Sequence, residues 1–114
     1  MKPEEKTDVS VVAPIYNEEE CVQQLVEKLH GVLSKLGRPY EIVLVDDGSR
    51  DGSWRIMEEL SHRVPCLRLV RLRRNFGQTA AMSAGFHEAR GDVIITMDAD
   101  LQNDPEDIPR LLEH

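Results

Sequence analysis

Apolar positions along this chain follow two alternating rhythms. Short runs rich in Val, Ile and Leu, with few polar residues among them, cover residues 9–13, 41–45, 67–72 and 92–97, and their length and β-branched content predict buried strands. Between them the apolar residues recur at helical spacing. Val22, Leu25, Val26, Leu29, Val32, Leu33 and Leu36 share one helical face, which predicts a helix over residues 18–36 that Gly37 ends. A second helix is expected over 53–62, capped by Asp51 or Ser53, and a third over 78–89, closed by Gly91. A fourth begins at Pro105 with Asp104 as its N-cap.

Strictly alternating strands and helices call for a parallel sheet with helices on both faces, joined by right-handed crossovers. Ligands of such sheets bind outside the carboxyl ends of the strands. The polar clusters of this chain fall at those ends. Pro14-Ile15-Tyr16-Asn17-Glu18 follows the first strand, Asp46-Asp47-Gly48-Ser49 the second, Arg73-Arg74-Asn75-Phe76-Gly77-Gln78 the third, and Asp98-Ala99-Asp100-Leu101-Gln102 the fourth. Four loops therefore converge on one rim.

Asp98 and Asp100 stand one residue apart at a strand end, so they project to the same side and repel unless a cation lies between them. Oxygen ligands of this kind suit Mg²⁺ or Mn²⁺ with positions left open for substrate phosphates. The competing reading is an Asp-rich turn before a helix cap, which accounts for Asp104 but leaves Asp98 and Asp100 without a local purpose. Asp46 and Asp47 admit two readings as well: recognition of a base N–H and orientation of the ribose or metal region, or an Asx turn leading into the next helix. Tyr16 can lie flat against a base with its hydroxyl free to hydrogen-bond. Glu19 and Glu20 suit the acidic first turn of a helix. Arg71, Arg73 and Arg74 bring positive charge to an acidic rim, and Gly77 permits close backbone approach at a helix N-terminus, where anions are favoured. Only 74–78 are weighted as ligand-binding there, because arginines on an edge strand are commonly solvated. Trp54 reads as core, and His30, His62 and His87 lack metal-ligand spacing.

Composition narrows the classes. The chain has 114 residues, enough for one domain with a genuine core, and a formal net charge of -7, which argues against a nonspecific nucleic-acid binder. Cys21 and Cys66 form no Cys-x-x-Cys pair, so neither zinc nor a disulfide framework is indicated, and reduced thiols in a cytoplasmic setting are expected. No segment approaches the roughly 20 apolar residues that span a bilayer, and residues 1–8 form a polar N-terminal segment without the apolar run of a signal peptide. A soluble, unsecreted chain is the expectation.

Four segments carry a family resemblance: Val11-Val12-Ala13-Pro14-Ile15-Tyr16-Asn17-Glu18-Glu19, Val45-Asp46-Asp47-Gly48-Ser49-Arg50-Asp51-Gly52, Arg74-Asn75-Phe76-Gly77-Gln78-Thr79-Ala80-Ala81 and Met97-Asp98-Ala99-Asp100-Leu101-Gln102. In this order, over nearly the whole chain, they resemble the family 2 glycosyltransferases. The nearest branch is the polyprenyl-phosphate type, which includes dolichol-phosphate mannosyltransferase and bacterial enzymes that transfer glucose or aminoarabinose to undecaprenyl phosphate. The resemblance implies an α/β GT-A fold, a Rossmann-like three-layer sandwich with a mostly parallel sheet ordered 3-2-1-4, and a nucleotide-sugar-binding half over residues 9–114. It also implies that Asp98, Asp100 and Gln102 bind the cation, with Asp98 and Asp100 at the catalytic centre. Pro14, Tyr16, Asn17, Glu18, Asp46, Asp47, Asn75, Gly77, Gln78, Asp98, Ala99 and Asp100 would hold a UDP- or GDP-linked sugar. The implied reaction is inverting transfer to a lipid phosphate at the cytoplasmic face of a membrane. Family members continue beyond the metal motif into an acceptor-binding half, so this chain is expected to be the donor-binding part, inactive alone and open to self-association through its uncovered face.

Other classes fit less well. A phosphoryl-accepting receiver would need a lone Asp at the end of the third strand, where Arg73-Arg74-Asn75 stands. A sugar nucleotidyltransferase would need a Gly-rich, cationic loop after the first. A noncatalytic nucleotide-sugar-binding module or degenerate fragment would have the same sequence as a donor-binding half, and only assay separates those two.

Overall fold

The computed structural model describes residues 6–98 and 104–113. Four strands, β1 (Val9–Ile15), β2 (Tyr40–Asp46), β3 (Leu67–Arg71) and β4 (Val93–Thr96), form a wholly parallel sheet in the order β3-β2-β1-β4. Helices α1 (Val22–Leu33), α2 (Ser53–Arg63), α3 (Gln78–Glu88) and α4 (Ile108–Leu112) follow the strands in turn. Strand order and the alternation of elements match the expectation.

Side chains of successive strand residues point to opposite faces, so the sheet feeds two cores. One face carries Val9, Val11, Ala13, Ile15, Ile42 and Leu44, which pack against Val22, Leu25, Val26, Leu29 and Leu33 of α1 and against Met57 and Leu60 of α2. Each large side chain fully buried there contributes about 1.5–3 kcal/mol. The other face carries Val12, Val43 and Val45 beneath Ala81 of α3. That helix lies close to the sheet because its inner stripe is small: a Cβ at Gly85 would stand 2.3 Å from a Val12 methyl. Helices on both faces complete a three-layer α/β sandwich.

Several boundaries differ from expectation, each for a physical reason. β1 runs on to Ile15, because Pro14 and Ile15 keep register with Val45 and Asp46, and the Asp47 N–H donates to the Ile15 carbonyl at 2.8 Å. Backbone groups alternate sides, so the missing N–H of Pro14 falls on the β4 side, beyond Val12, where β4 pairing ends. No ladder bond is lost.

Helix α1 begins at Val22 rather than at residue 18. Residues 18–21 form a turn in which the Cys21 and Val22 N–H groups donate to the Glu18 carbonyl at 2.9 and 3.0 Å. Glu19 and Glu20 therefore stand before the helix, and the expected acidic first turn is corrected: the first turn of α1 holds no acid. At its other end, three-residue bonds from Lys35 to Val32 and from Leu36 to Leu33 tighten the chain before Gly37. The last helix opens as expected, with Asp104 Oδ1 accepting the Glu106 N–H at 3.0 Å, but its first turn, Pro105–Asp107, is 3₁₀.

At the amino-terminal end of the sheet Glu41 is 2% exposed and wholly enclosed. Its carboxylate accepts the Ser10 hydroxyl at 2.5 Å, the Arg90 N–H at 2.7 Å and Arg68 Nη1 at 3.0 Å. Arg68 also donates to the Glu88 carbonyl and carboxylate. Burial alone would raise the pKa of Glu41, but these donors together hold it below the ordinary carboxylate value. The node joins β1, β2, β3 and the turn into β4. At this end Thr7 is buried, and the Asp8 N–H donates to the Pro39 carbonyl at 2.9 Å.

Candidate functional site

At the opposite rim the loops after β1 and β2 are sewn together. Asn17 adopts φ 52°, a left-handed conformation that Asn tolerates. Its N–H donates to Ser49 Oγ at 2.9 Å, and its Oδ1 accepts the Arg50 N–H at 2.8 Å. The Glu18 N–H donates to Ser53 Oγ at 2.9 Å and the Glu19 N–H to Asp51 Oδ2 at 3.2 Å, while Glu19 Oε2 accepts the Gly52 N–H at 3.2 Å. Neither expected residue is the N-cap of α2, a position that Gly52 occupies without a side-chain cap; Asp51 Oδ1 accepts the Ser53 N–H at 2.9 Å from just before the helix, and the Ser53 hydroxyl serves the neighbouring loop. Burial opposes ionisation of Asp51, yet the bonds from Ser53 and Glu19 outweigh it and keep its pKa low.

The paired acids Asp46 and Asp47 diverge across the sheet. Asp46 is 0% exposed; its Oδ1 accepts the Ser49 N–H at 3.1 Å, and its buried Oδ2 makes no hydrogen bond among the described residues. The nearest charge is Arg71 Nε at 3.8 Å, an ion pair too long for a hydrogen bond, and the same guanidinium lies 4.8 Å from the centre of the Trp54 ring. Asp47, 3% exposed, turns to the loop after β3. Its carboxylate accepts the Phe76 N–H at 2.8 Å, the Asn75 side-chain amide at 3.0 Å and the Gly77 N–H at 3.1 Å. A base edge would have to share that carboxylate with the loop.

Two glycines make this convergence feasible. Gly48 has φ 74°, and a Cβ there would lie 2.4 Å from the backbone of Arg74 and Asn75. Gly77 has φ 104°, a backbone conformation that favours glycine.

Between these loops opens a cleft of about 290 Å³ lined by Tyr16, Ser49, Arg50 and residues 71–75. That is close to the smallest ligand clefts, about 300 Å³. Tyr16 is 44% exposed on its wall, a flat ring available for stacking. Arg50, Arg73 and Arg74 form no ion pair among the described residues. Beyond Asn75 the loop leads to Gln78, whose Nε2 donates to Asp98 Oδ1 at 3.2 Å, just past the end of β4.

Of the residues expected to bind ligand, Tyr16 and Asn75 line the cleft, while Asp47, Asn75 and Gly77 meet one another, as do Gln78 and Asp98. Pro14 and Glu18 are half-buried and Asp46 and Asp47 buried, and none of the four forms the cleft wall. Asn17 serves as a brace between loops. Ala99, Asp100 and Gln102 lie outside the described residues. Asp98 fits a hard divalent cation: it is an oxygen donor at the rim, part exposed, and its one hydrogen bond among the described residues engages a single carboxylate oxygen. Arg71 and Arg73, read as positive charge at the rim but set aside as edge-strand arginines, line the cleft, as does Arg50, which sequence reasoning passed over.

The model of the family described as "Glycosyl transferase family 2" matches residues 10–114. The chain belongs to that family. It is 52% identical over 114 residues to the undecaprenyl-phosphate 4-deoxy-4-formamido-L-arabinose transferase of Pseudomonas paraeruginosa (strain DSM 24068 / PA7), covering 99% of this chain and 34% of that protein. The chain thus spans about a third of the length of the curated relatives it matches. Among solved structures, S. aureus TarS 1-349 in complex with UDP-GlcNAc superposes with a TM-score of 0.70 at 28% identity, over 82% of this chain and 27% of that one. The mannosyltransferase PcManGT of Pyrobaculum calidifontis, in complex with GDP-Man and Mn²⁺, superposes at 0.71 with 25% identity, over 86% and 29%. These family neighbours share the GT-A fold expected for the chain. No helix among the described residues is long and apolar enough to cross a membrane.

Proposed function

We propose that this chain is the donor-binding part of an inverting glycosyltransferase that moves a sugar from a UDP- or GDP-linked donor to a polyprenyl phosphate. The observation that carries the reading is the 52% identity, over nearly all of this chain, to a relative named as an undecaprenyl-phosphate sugar transferase. The rim supports it. Tyr16 offers a stacking face, the unpaired arginines draw an anionic nucleotide into the cleft, and Asp98 stands at the next strand end for the diphosphate side.

Residues 9–114 form the donor unit in this reading, with Pro14, Asn17, Glu18, Asp46 and Asp47 shaping the walls behind Tyr16. Asp98, with Asp100 and Gln102, holds Mg²⁺ or Mn²⁺. When bound, such an ion neutralises charge that develops on the departing nucleoside diphosphate. The attacking group is the lipid phosphate, which is anionic near neutral pH, so this chain need not supply a strong base. Its own task is to hold the donor with the anomeric carbon open to in-line attack. The acceptor half belongs to sequence the relatives carry beyond the region matched, and the parent acts at the cytoplasmic face of a membrane. The exposed Phe86 of α3 and Ile94 of β4, on the same side of the sheet, give this chain alone an apolar patch through which copies associate.

Calorimetric titration with UDP, GDP and their sugars, with and without Mn²⁺, tests the reading. Binding that strengthens with Mn²⁺ and weakens in Asp98→Asn and Asp100→Asn is expected, with no sugar transfer to a polyprenyl phosphate by this chain alone. A chain that binds neither nucleotide under any metal condition would overturn it.

A further inference from the structure

We propose that Gln78 is a positioning residue for Asp98 and that the buried Asp47 carboxylate sets the position of Gln78. The inference rests on the reading in which Asp98 binds the cation, and it gives Asp47 a task other than contact with the base. The physical chain has three links, each a contact in the structure.

The first link is Asp47 itself. A carboxylate that is 3% exposed and accepts two backbone N–H groups and one side-chain amide is fixed in place, and it fixes its donors in return. Asn75 is held twice, since its side-chain amide also reaches the Asp47 carbonyl at 3.2 Å. The second link is the start of α3. Gly77 occupies the N-cap position, and its carbonyl accepts the first helical bond, from the Ala81 N–H at 3.1 Å. Asp47 thus supplies the negative charge at the positive end of α3 that no side chain of the helix's own first turn provides. Ala81 and Gly85 press the same helix onto the sheet, so the backbone of Gln78 has little freedom.

The third link is the Gln78 amide, which donates to Asp98 Oδ1 at 3.2 Å. Gln78 is otherwise exposed, so the helix start, not packing of its side chain, determines where that amide lies. A donor on one oxygen of a carboxylate ligand selects its rotamer and leaves the second oxygen for the cation. Removing such an outer partner typically costs ten- to a hundredfold in metal affinity. Asn75, between the first and second links, also lines the cleft, so one loop both orients Asp98 and forms part of the cleft wall.

Mn²⁺ binding in the presence of UDP or GDP, whichever the native chain takes, and amide hydrogen exchange at Phe76 and Gly77 form the test. Gln78→Met keeps length and loses the donor. It is expected to weaken Mn²⁺ about ten- to a hundredfold, with unchanged exchange at Phe76 and Gly77. Asp47→Asn turns an acceptor into a donor facing other donors, so it is expected to lose that amide protection and to weaken Mn²⁺ by a similar factor. Because the two act in series, the double variant is expected to be no weaker than the weaker single one. Native-like Mn²⁺ affinity in Gln78→Met, or losses that multiply in the double variant, would overturn this inference alone. A native chain that binds nucleotide with no response to Mn²⁺ would overturn it together with the cation site.

Discussion

Both ends of the sheet bury a carboxylate on β2, and they treat it in opposite ways. Glu41, at the amino-terminal end, meets a hydroxyl, a backbone N–H and a guanidinium, all at hydrogen-bond distance. Asp46, at the carboxyl-terminal end, is as fully enclosed yet keeps one oxygen without a hydrogen bond among the described residues, with Arg71 standing off at 3.8 Å. Around Glu41 the chemistry is closed. Around Asp46 it is open, with unpaired arginines, an exposed tyrosine and a cleft beside them. Buried polar groups are nearly always satisfied in folded proteins, so an incomplete rim above a complete base marks where the fold spends stability on binding. The comparison predicts that substitutions at the base cost folding and those at the rim cost ligand.

The largest effect is expected from Glu41→Ala. It leaves Ser10, the Arg90 N–H and Arg68 without their common acceptor, and removal of one partner from a buried ionic node costs about 3–5 kcal/mol. Thermal or urea unfolding checks this, and nucleotide affinity measured where the variant remains folded is expected to stay native. Acid attacks the same node more gradually. Because the folded pKa of Glu41 lies below its unfolded value, the stability it contributes is complete above the ordinary carboxylate range and is lost as pH falls through that range toward the depressed folded value. Unfolding midpoints followed from pH 7 into acid are expected to fall less steeply in Glu41→Gln than in the native chain. Parallel profiles would break the contrast between the two ends.

What the sequence disclosed follows the same division. Strands and helices were legible because their apolar periodicity is local. Contacts between loops were not. Asn17 and Glu18 read as ligand-binding or helical until Ser49, Arg50 and Ser53, more than thirty residues away, take up their backbone and side-chain bonds. Asp47 read as a base-recognising or Asx-turn residue, and its bonds to Asn75, Phe76 and Gly77 on a distant loop were not legible. Arg71 read as a solvated edge residue, and only the register that pairs it with Asp46 reveals its place between that carboxylate and Trp54. The expected cation ligands divide too, with Asp98 placed and Asp100 and Gln102 outside the described residues.

At the rim, Tyr16→Ala is expected to cost less than the base node and to act on a different quantity. Loss of a stacking ring lowers base affinity by about 1–3 kcal/mol. An exposed side chain outside both cores leaves the folding midpoint almost unchanged. Calorimetry of nucleotide binding beside a thermal melt reads both numbers. A melting loss comparable to that of Glu41→Ala, with native affinity, would mean that Tyr16 belongs to the structural end of the comparison.

The smallest effect sharpens the contrast most, because it separates charge from contact. Arg73 lines the cleft, is exposed, and has no ion pair among the described residues. Its attraction for a nucleoside diphosphate acts through water, where an exposed charge contributes about 0.2–1 kcal/mol. Salt screens such attraction over a Debye length of about 8–10 Å near physiological ionic strength. Arg73→Ala is therefore expected to weaken nucleotide binding about two- to fivefold at low salt, and the gap to the native chain is expected to close as salt rises toward 1 M. Arg68, whose guanidinium is committed to Glu41 and Glu88, offers the control: its loss lowers the melting temperature and leaves the salt dependence of binding untouched. An Arg73 effect that persists at high salt would instead mean a direct hydrogen bond to ligand, which would place the diphosphate farther toward β3 than Asp98 implies.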